Sequence, residues 1–422
     1  MTGSRPADIT VKVSQTLAGG RVEFRARRKG VPPLRLILAG QGAIAEARTQ
    51  LDKGLLRLKD AIPALEARDP ELPEIYDALH RTGRRLFFIL FGMRASAIDG
   101  VQQFWNRAVP FGRNPEWSPL VECVGDKNSF LPLELLPLFR MDPGEPITNR
   151  AEFVDACRAL VGFSCVVRRT MLPVPVCGGV LLQPSPTGLL PVRYLYVEDL
   201  PGARKELDWF SKEAAGRVKI EGPYPCMGTG APSLPDQIFD PRVSLAGTDR
   251  DAPDQIQHFS CHCYTTLQDP FDNEIELSGN GHEIRVTLGS LTEDLLALSA
   301  RKPARKFQLP LVVMNSCGSA RMHATSSLSF PYLFLQNENR GFIGSEIEMP
   351  DDVAAAFSKA LYTRFLIHKA PLGRSLLDAR NLLLHEYGNP LAISYSSYAD
   401  PDLHIGPTGE EKARDAADPV TT

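Results

Sequence analysis

The feature that most constrains this fold is a continuous apolar run, Leu311 to Met314, which follows Pro310 and precedes small polar residues. A short run without alternating polar positions predicts a strand buried on both faces, as in a parallel sheet. The residues NSCGSA at 315–320 would then lie at the carboxyl edge of the sheet, where open α/β sheets bind ligands. Cys317 is therefore a candidate nucleophile. Free cysteine is also common as a small apolar residue at the end of a strand, without a catalytic role. Taken alone, the motif favours this structural interpretation.

A second strand-like stretch, IQHFSCHCY at 256–264, carries His262 near its end. A cysteine with a histidine elsewhere in the chain is a candidate pair of nucleophile and base. A long loop and one helix separate this stretch from the Cys317 strand. Parallel neighbours are joined in this way, and their carboxyl ends lie side by side. The spacing therefore permits the imidazole of His262 to lie beside the thiol of Cys317.

Strand-like and helical patterns alternate along most of the chain. A β-hairpin is predicted within residues 1–40, where alternating apolar residues flank Gly19-Gly20. Amphipathic helices are predicted over 43–66 and 72–93. Beyond them, short apolar strands alternate with helices. This order predicts an α/β fold with a mostly parallel sheet and helices on both faces, preceded by a small α+β N-terminal region.

Composition and charge argue against several classes of function. The formal net charge of −3 gives no electrostatic basis for binding nucleic acid. The amino end lacks the apolar segment of a secretory signal, and the most apolar run, 86–93, is too short to span a bilayer. The eight cysteines have no disulfide-framework spacing. We therefore expect a cytoplasmic protein that contacts neither nucleic acid nor membrane directly.

The run Cys261-His262-Cys263 raises the question of a zinc site. Structural zinc takes four ligands, usually from closely spaced pairs of cysteine or histidine. His258 lies four residues before His262, but alternation along a strand points Cys261 away from His262, and no second spaced pair exists. The segment GTGAP at 228–232 lacks the Lys-Ser/Thr of a phosphate-binding loop. We expect no metal and no cofactor.

The chain also carries, in this order, LPLEL at 131–135, LPGARKELDWF at 200–210, HFSCH at 258–262, VVMNSCGSA at 312–320, GFIGSE at 341–346, and two helical segments, DDVAAAFSKALYTRFL and PLGRSLLDARNLLL. With these motifs, residues 85–405 resemble the CHAT family of caspase-like cysteine peptidases, which is related to caspases and separase. We therefore predict a CHAT-like, caspase-fold peptidase domain over 85–405. Residues 1–84 would form a regulatory or partner-binding region of β-hairpin and helices, and the polar residues 406–422 a disordered tail.

The resemblance makes His262 the catalytic histidine and Cys317 the nucleophile of a cysteine endopeptidase. The family stabilises the oxyanion with the N–H of the cysteine and the N–H of the residue after the histidine. That residue is usually glycine, and in this chain it is Cys263, whose larger side chain could narrow the site. The change at Cys263 supports an alternative function, a catalytically inactive caspase-like scaffold or signalling adaptor.

The resemblance also implies partners. Family members cut protein substrates in bacterial defence or signalling systems, among them gasdermin-like proteins and effector proteases. Members are commonly inactive until a sensor or partner protein engages them. This chain shows no tetratricopeptide array and no nucleotide-sensing motif. The resemblance therefore implies a thiol protease in antiviral defence that is activated in trans.

Other polar residues near the same sheet edge are expected to have no catalytic role. Asp254 could orient an imidazole, but the expectation is that it caps or lines a surface turn before the histidine strand. Arg321, Glu346 and Asp351 could line a substrate pocket, but the expectation for each is an exposed charge with no role. His258 lies deeper in its strand and is expected to be a core histidine with its hydrogen bonds satisfied.

Overall fold

The computed structural model describes most of the chain. The described residues are 5–16, 19–40, 42–62, 64–92, 94–109, 118–126, 131–142, 144, 146–174, 179–225, 231–243, 252–266, 269–279, 281–301, 309–322 and 328–407. The predicted disordered tail, 406–422, therefore lies outside the described residues except for its first two.

The strands in this part of the chain are β1 (Ile9–Thr16), β2 (Gly19–Ala26), β3 (Leu34–Ile37), β4 (Leu120–Asp126), β5 (Val166–Leu172), β6 (Leu181–Leu182), β7 (Leu190–Tyr196), β8 (Val218–Tyr224), β9 (Ile256–Ser260), β10 (His262–Tyr264), β11 (Glu274–Gly279), β12 (His282–Thr287), β13 (Leu309–Met314), β14 (Asn339–Ser345), β15 (Tyr395–Ser397) and β16 (His404–Ile405).

The α-helices of the described residues are α1 (Ala43–Asp60), α2 (Leu72–Phe91), α3 (Ala95–Ala108), α4 (Arg150–Cys157), α5 (Val161–Ser164), α6 (Pro201–Lys212), α7 (Leu234–Phe239), α8 (Leu288–Arg301), α9 (Phe330–Gln336), α10 (Asp351–Tyr362) and α11 (Leu372–Tyr387). In the described segments, no helix has both the length and the apolar character needed to cross a lipid bilayer.

The larger sheet has the strand order β15-β14-β13-β9-β7-β8 among the described residues. Neighbouring strands are parallel, except that β15 is antiparallel to β14 at one edge. Every residue of β9, β13 and β14 is buried. This is the burial that the apolar run at 311–314 predicts for parallel strands covered on both faces. The prediction of an α/β fold with a mostly parallel sheet is confirmed.

The side chains of β13 alternate between two hydrophobic clusters. Leu311 and Val313 belong to the cluster that contains the apolar faces of α10 and α11. Val312 and Met314 belong to a second cluster with apolar residues of α8 and α9. Because successive side chains of a strand point to opposite faces, helices cover both faces of the sheet. Strand β13 ends at Met314, and the small polar residues begin there.

A second sheet has the order β3-β2-β1-β4-β5 in the segments that the structure describes. Strands β1 and β2 form an antiparallel hairpin, with Val11 opposite Phe24 and Val13 opposite Val22. Strands β1, β4 and β5 are parallel. Apolar residues of this sheet, of α1 and α2, and of one face of the larger sheet belong to one continuous cluster. Strands from before and after residue 84 therefore share one sheet. The domain boundary predicted at that position stays a prediction.

The histidine stretch forms two strands where the sequence predicts one over 256–264. Strand β9 ends in the larger sheet, and the chain turns at Cys261. Strand β10 then pairs with β11, which pairs with β12, and all three are antiparallel. The prediction of one continuous strand is wrong because β10 has its hydrogen-bonding partner in a hairpin further along the chain. The local pattern carries no information about that partner.

Candidate active site

Cys317 and His262 follow neighbouring strands of the larger sheet. Strands β9 and β13 are parallel, with Phe259 opposite Met314. The N–H of Asn315 donates to the carbonyl of Phe259 at 2.8 Å, where the pairing ends. His262 lies three residues beyond Phe259, and Cys317 lies three residues beyond Met314. The structure therefore brings both residues to the carboxyl edge of the same two strands.

Residues 315–321, which we call the thiol loop, are held against the end of β14. The N–H of Gly318 donates to the carbonyl of Ile347 at 2.7 Å. The N–H of Ala320 donates to the carbonyl of Ser345 at 2.8 Å. Backbone groups of small residues can approach a neighbouring backbone this closely, which explains the composition of the loop. These two bonds fix the path of the chain immediately after the thiol.

Gly318 has a conformation and an environment that favour glycine. Its φ is +62°, in the left-handed region, where a residue with a Cβ pays roughly 1–2 kcal/mol. A Cβ at this position would lie 3.0 Å from Oγ1 of Thr265. Thr265 follows β10, so the loop after Cys317 packs directly against the segment after His262.

The thiol of Cys317 is half-buried. Its Sγ donates to the carbonyl of Met349 at 3.8 Å. Burial raises the pKa of Cys317. The hydrogen bond to Met349 and the ammonium of Lys59 lower this pKa, whereas the carboxylates of Glu348 and Asp351 raise it. In this arrangement the protonated thiol is favoured, and formation of the nucleophilic thiolate requires a base or an additional cation.

The imidazole of His262 is accessible from solvent, with 31% of its side-chain surface exposed. Its Nε2 lies 3.9 Å from Oδ1 of Asp199, and its ring centroid lies 6.1 Å from that of Tyr264. Asp199 follows β7, which neighbours β9 in the larger sheet. Three adjacent strands therefore contribute side chains to one edge. Because 70% of the Asp199 side chain is exposed, solvent and salt weaken its effect on the imidazole.

Sequence reasoning misses Asp199 and considers Asp254 as the carboxylate near the imidazole. Asp254 is 1% exposed, and its Oδ2 lies 2.6 Å from Nε of Arg193. The expectation that Asp254 lies at a surface turn is therefore wrong. A signal for Asp199 does exist in the sequence, because it follows the apolar residues of β7 much as His262 follows those of β9.

The side chain of Cys263 points into the protein. Cys263 is 5% exposed and belongs to the second hydrophobic cluster, whereas its neighbours in β10, His262 and Tyr264, are partly exposed. Strand alternation accounts for this difference. Burial raises the pKa of Cys263 well above its usual value, so this thiol is unreactive. The roles of the Cys263 and Cys317 N–H groups at an oxyanion stay predictions.

The described residues contain no cluster of three or more histidine, cysteine, aspartate or glutamate side chains arranged to hold a metal ion. Cys261 is 2% exposed, and burial raises its pKa to about 12. The Cys261-His262-Cys263 run thus consists of a partly exposed imidazole between two buried thiols.

A buried polar network lies beneath the thiol loop. The carboxylate of Glu206, on α6, lies 2.5 Å from Nε2 of His258 and accepts from Nδ2 of Asn315 at 2.7 Å. Nδ1 of His258 lies 2.9 Å from the hydroxyl of Tyr362. The expectation that His258 is a core histidine with satisfied hydrogen bonds is confirmed. Because Asn315 begins the thiol loop, this network anchors the loop to α6.

Helix α1 contacts the segment that follows β14 through a buried ion pair. Nη1 of Arg48 lies 2.5 Å from Oε2 of Glu346, and the two side chains are 2% and 5% exposed. The expectation that Glu346 is an exposed charge is wrong. A charge buried to this degree requires a partner of opposite charge, and the partner comes from the N-terminal part of the chain.

Two further residues of α1 extend this contact. Oδ2 of Asp52 lies 2.7 Å from Nη2 of Arg321, the last residue of the thiol loop. Nζ of Lys59 lies 3.0 Å from Oε2 of Glu348. Asp52 and Lys59 lie four and eleven positions after Arg48, so all three share one face of the helix. We call these three residues the polar face of α1.

The family that this chain matches is the CHAT domain family. The model of the CHAT domain family matches residues 180–396, slightly more than half of the chain. A segment of 104 residues is 28% identical to a protein of Vitiosangium sp. (strain GDMCC 1.1324) named "Probable protease". This match covers 24% of the present chain and 13% of that protein, so the chain spans a small part of its curated relative.

Two crystal structures of the Saccharomyces cerevisiae separase–securin complex align with TM-scores of 0.45 and 0.44 and 10% sequence identity. Each alignment covers 94% of this chain and 30% of the matched chain.

Proposed function

This chain belongs to the CHAT domain family, and from that membership we propose that it is a cysteine endopeptidase that uses a dyad of His262 and Cys317. The observation that carries the proposal is the position of both residues at the carboxyl edge of the parallel neighbours β9 and β13. This edge is the usual ligand site of open α/β sheets. Cys317 is half-buried, whereas Cys261 and Cys263 beside the histidine are buried, so Cys317 is the reactive thiol of this edge.

In the proposed reaction, the imidazole of His262 takes the proton from Sγ of Cys317, and the thiolate attacks the carbonyl carbon of a peptide bond. The N–H groups of Cys317 and Cys263 donate to the oxyanion, and loss of one such donor typically costs about 10²–10³ in rate. The imidazolium then protonates the leaving amine as the C–N bond breaks. A water molecule, deprotonated by His262, hydrolyses the thioester and releases the carboxyl product.

We propose that an activating sensor or partner protein controls this reaction. The raised pKa of Cys317, which comes first from burial of the thiol, supports this proposal because it favours the unreactive thiol. A partner that adds a cation near Sγ would lower this pKa and increase the thiolate fraction. Activation in trans is thereby consistent with a resting enzyme.

The proposed substrate is a protein, within a bacterial defence or signalling system, such as a gasdermin-like protein or an effector protease. The support is the family membership. A reducing cytoplasm is the proposed location, because the cysteines in the described segments are free thiols. The proposal involves no metal or organic cofactor and no direct contact with nucleic acid or membrane.

The test is a cleavage assay with the full chain. Purified protein is mixed with the product of each neighbouring gene, alone and in combination, and products are identified by intact-mass spectrometry. We expect one neighbour to be cut at a single site, and we expect Cys317→Ala and His262→Ala to abolish cleavage. His282→Ala, at an exposed position on β12, is the matched histidine control and should cut normally. Cleavage that persists in Cys317→Ala, or no cleavage in any combination, would overturn the proposal.

The inactive scaffold is the second candidate function, and the observation that favours it is Cys263 at the usual position of glycine. An electrophile directed at the active site discriminates between the two functions. The peptidase should be labelled at Cys317 in a reaction that slows strongly in His262→Ala. A scaffold would be labelled at the same rate in both proteins.

A further inference from the structure

Arg321, the last residue of the thiol loop, holds two other segments at once. Its Nη1 donates to Oγ1 of Thr265 at 3.1 Å, and its Nη2 donates to Oδ2 of Asp52 at 2.7 Å. The guanidinium group is planar, and its N–H donors have fixed directions. One arginine can therefore fix two partners relative to each other, which a flexible lysine cannot do.

The contact with Thr265 joins the two halves of the proposed dyad. Thr265 lies three residues after His262, and Arg321 lies four residues after Cys317. Gly318 also packs against Thr265, because a Cβ on Gly318 would lie 3.0 Å from its Oγ1. The thiol loop and the segment after β10 thus meet at two points outside the larger sheet. Strand β10 belongs to the smaller antiparallel sheet, so the hydrogen bonds of the larger sheet do not fix the position of His262. The two contacts with Thr265 supply a direct connection between His262 and the thiol loop.

The contact with Asp52 ties this junction to the core. Oδ1 of Asp52 also lies 3.2 Å from Nη2 of Arg48, whose side chain is 2% exposed and pairs with Glu346. Helix α1 itself is packed into the continuous hydrophobic cluster. Arg321 therefore has one partner on a rigid helix and one partner on the segment that carries His262.

We propose that Arg321 is a positioning residue that aligns His262 with Cys317 by holding Thr265 against the thiol loop from an anchor on Asp52. The inference rests on the proposed function and deepens it. A misalignment of about 1 Å between reacting groups can cost about 10²-fold in rate. The loss of either hydrogen bond of Arg321 should therefore slow the thiol without unfolding the protein.

The experiment measures alkylation of Cys317 by iodoacetamide in the full chain at pH 7. Peptide mass spectrometry follows Cys317 separately from the other thiols. We expect His262→Ala to slow the reaction, and Arg321→Gln and Thr265→Val to slow it about 10-fold each. In the double variant His262→Ala/Arg321→Gln, the rate should equal that of His262→Ala, because Arg321 acts through the histidine.

Conservative variants and a matched control separate positioning from general stability. Thr265→Ser keeps the hydroxyl and should restore most of the rate that Thr265→Val loses. Arg321→Lys reaches only one partner and should be intermediate. Arg81→Gln removes an exposed arginine of α2 whose ion pair with Asp77 stays within its own helix, and it should react like wild type. Melting temperatures of all variants should lie close to that of wild type.

The outcomes separate this inference from the proposed function. Equal rates in wild type and His262→Ala would overturn the dyad, and the inference with it. A slow His262→Ala with normal Arg321→Gln and Thr265→Val would overturn the inference alone. If only Arg321→Gln alkylated slowly, and its melting temperature were also lower, Arg321 would have a purely structural role. That outcome would also overturn the inference.

Discussion

Burial and the neighbouring charges together affect how readily the thiol of Cys317 ionises. Burial raises its pKa, two carboxylates add to this effect, and the ammonium of Lys59 opposes it. Lys59 and Glu348 also form an ion pair, with Nζ 3.0 Å from Oε2. Both groups lie in segments distant in sequence from the thiol. Single neutral substitutions at these positions should therefore move the thiol pKa in opposite directions.

The first prediction concerns these two residues. Glu348→Gln should lower the pKa of Cys317, and Lys59→Met should raise it, because each removes one charge that acts on the thiolate. At pH values below the thiol pKa, a lower pKa gives a larger thiolate fraction and faster alkylation, and a higher pKa does the opposite. Glu348→Gln should accelerate alkylation at pH 7 and Lys59→Met should slow it, and both differences should vanish at pH values above the thiol pKa.

The measurement is the rate of Cys317 alkylation between pH 6 and 11, roughly spanning the usual range of cysteine pKa values. Glu46→Gln removes an exposed carboxylate from the same helix as Lys59 and serves as the control with an unchanged profile. A shift of the two test variants in the same direction would contradict the prediction.

Gly318 is the subject of the second prediction. Gly318→Ala introduces a Cβ at φ +62° and at 3.0 Å from Thr265 Oγ1. We expect a loss of about 1 kcal/mol in the free energy of unfolding and a decrease of at least roughly 10-fold in Cys317 alkylation. Gly216→Ala, at a glycine with no heavy atom within 4 Å of an added Cβ, is the control. Equal behaviour of the two variants would show that the left-handed turn is not needed.

Among the secondary-structure elements, α1 has two different faces. Its apolar residues pack in the hydrophobic cluster that also contains α2. Its polar face contacts the thiol loop and the segment after β14. Helix α1 is therefore the element through which the N-terminal region can influence the proposed site.

The third prediction tests the buried pair of α1. Arg48→Met leaves the carboxylate of Glu346 buried without this cation and should lower the free energy of unfolding by about 3–5 kcal/mol. The double variant Arg48→Met/Glu346→Met removes both charges and should lose clearly less than the sum of the single variants. Urea denaturation monitored by circular dichroism measures these changes.

Arg81→Met, at an exposed position of α2, is the control and should change stability little. Additive losses in the double variant would contradict the interpretation that these two charges compensate each other.

Across the whole molecule, the two larger sheets share one hydrophobic cluster. Strand β1 pairs with β4, which lies more than a hundred residues further along the chain. Residues before and after position 84 therefore complete the same sheet and the same core. A fragment that begins at residue 85 would therefore lack part of this sheet and part of this core.

The fourth prediction is that a chain beginning at residue 85 does not fold. This fragment lacks β1, β2, β3 and α1. One edge of β4 is then exposed, and Glu346 has lost its partner Arg48. We expect aggregation or a non-cooperative thermal transition, measured by gel filtration and circular dichroism. A chain lacking only residues 408–422 keeps every described element and should melt cooperatively. A monomeric, cooperatively folded fragment 85–422 would instead show an independent N-terminal region.

Much of the candidate site could be predicted from local patterns. The apolar run at 311–314 predicts a buried parallel strand, and the small residues after it predict an edge with an accessible thiol. His262 follows a second strand of the same kind. The failures concern residues whose surroundings come from elsewhere in the chain. Asp254 lies against Arg193, and Glu346 lies against Arg48, although both acids look like surface charges in the sequence.

Hydrophobic periodicity and residue type are local properties, so the amino-acid order was sufficient for β9, β13 and the candidate residues that follow them. The folded chain alone settles that β10 turns into a different sheet, that the Cys263 side chain faces the core, and that α1 contacts the thiol loop. Arg48 and Glu346 lie 298 positions apart, and such a contact forms only when the packing of all intervening elements is satisfied together. No local pattern encodes that condition.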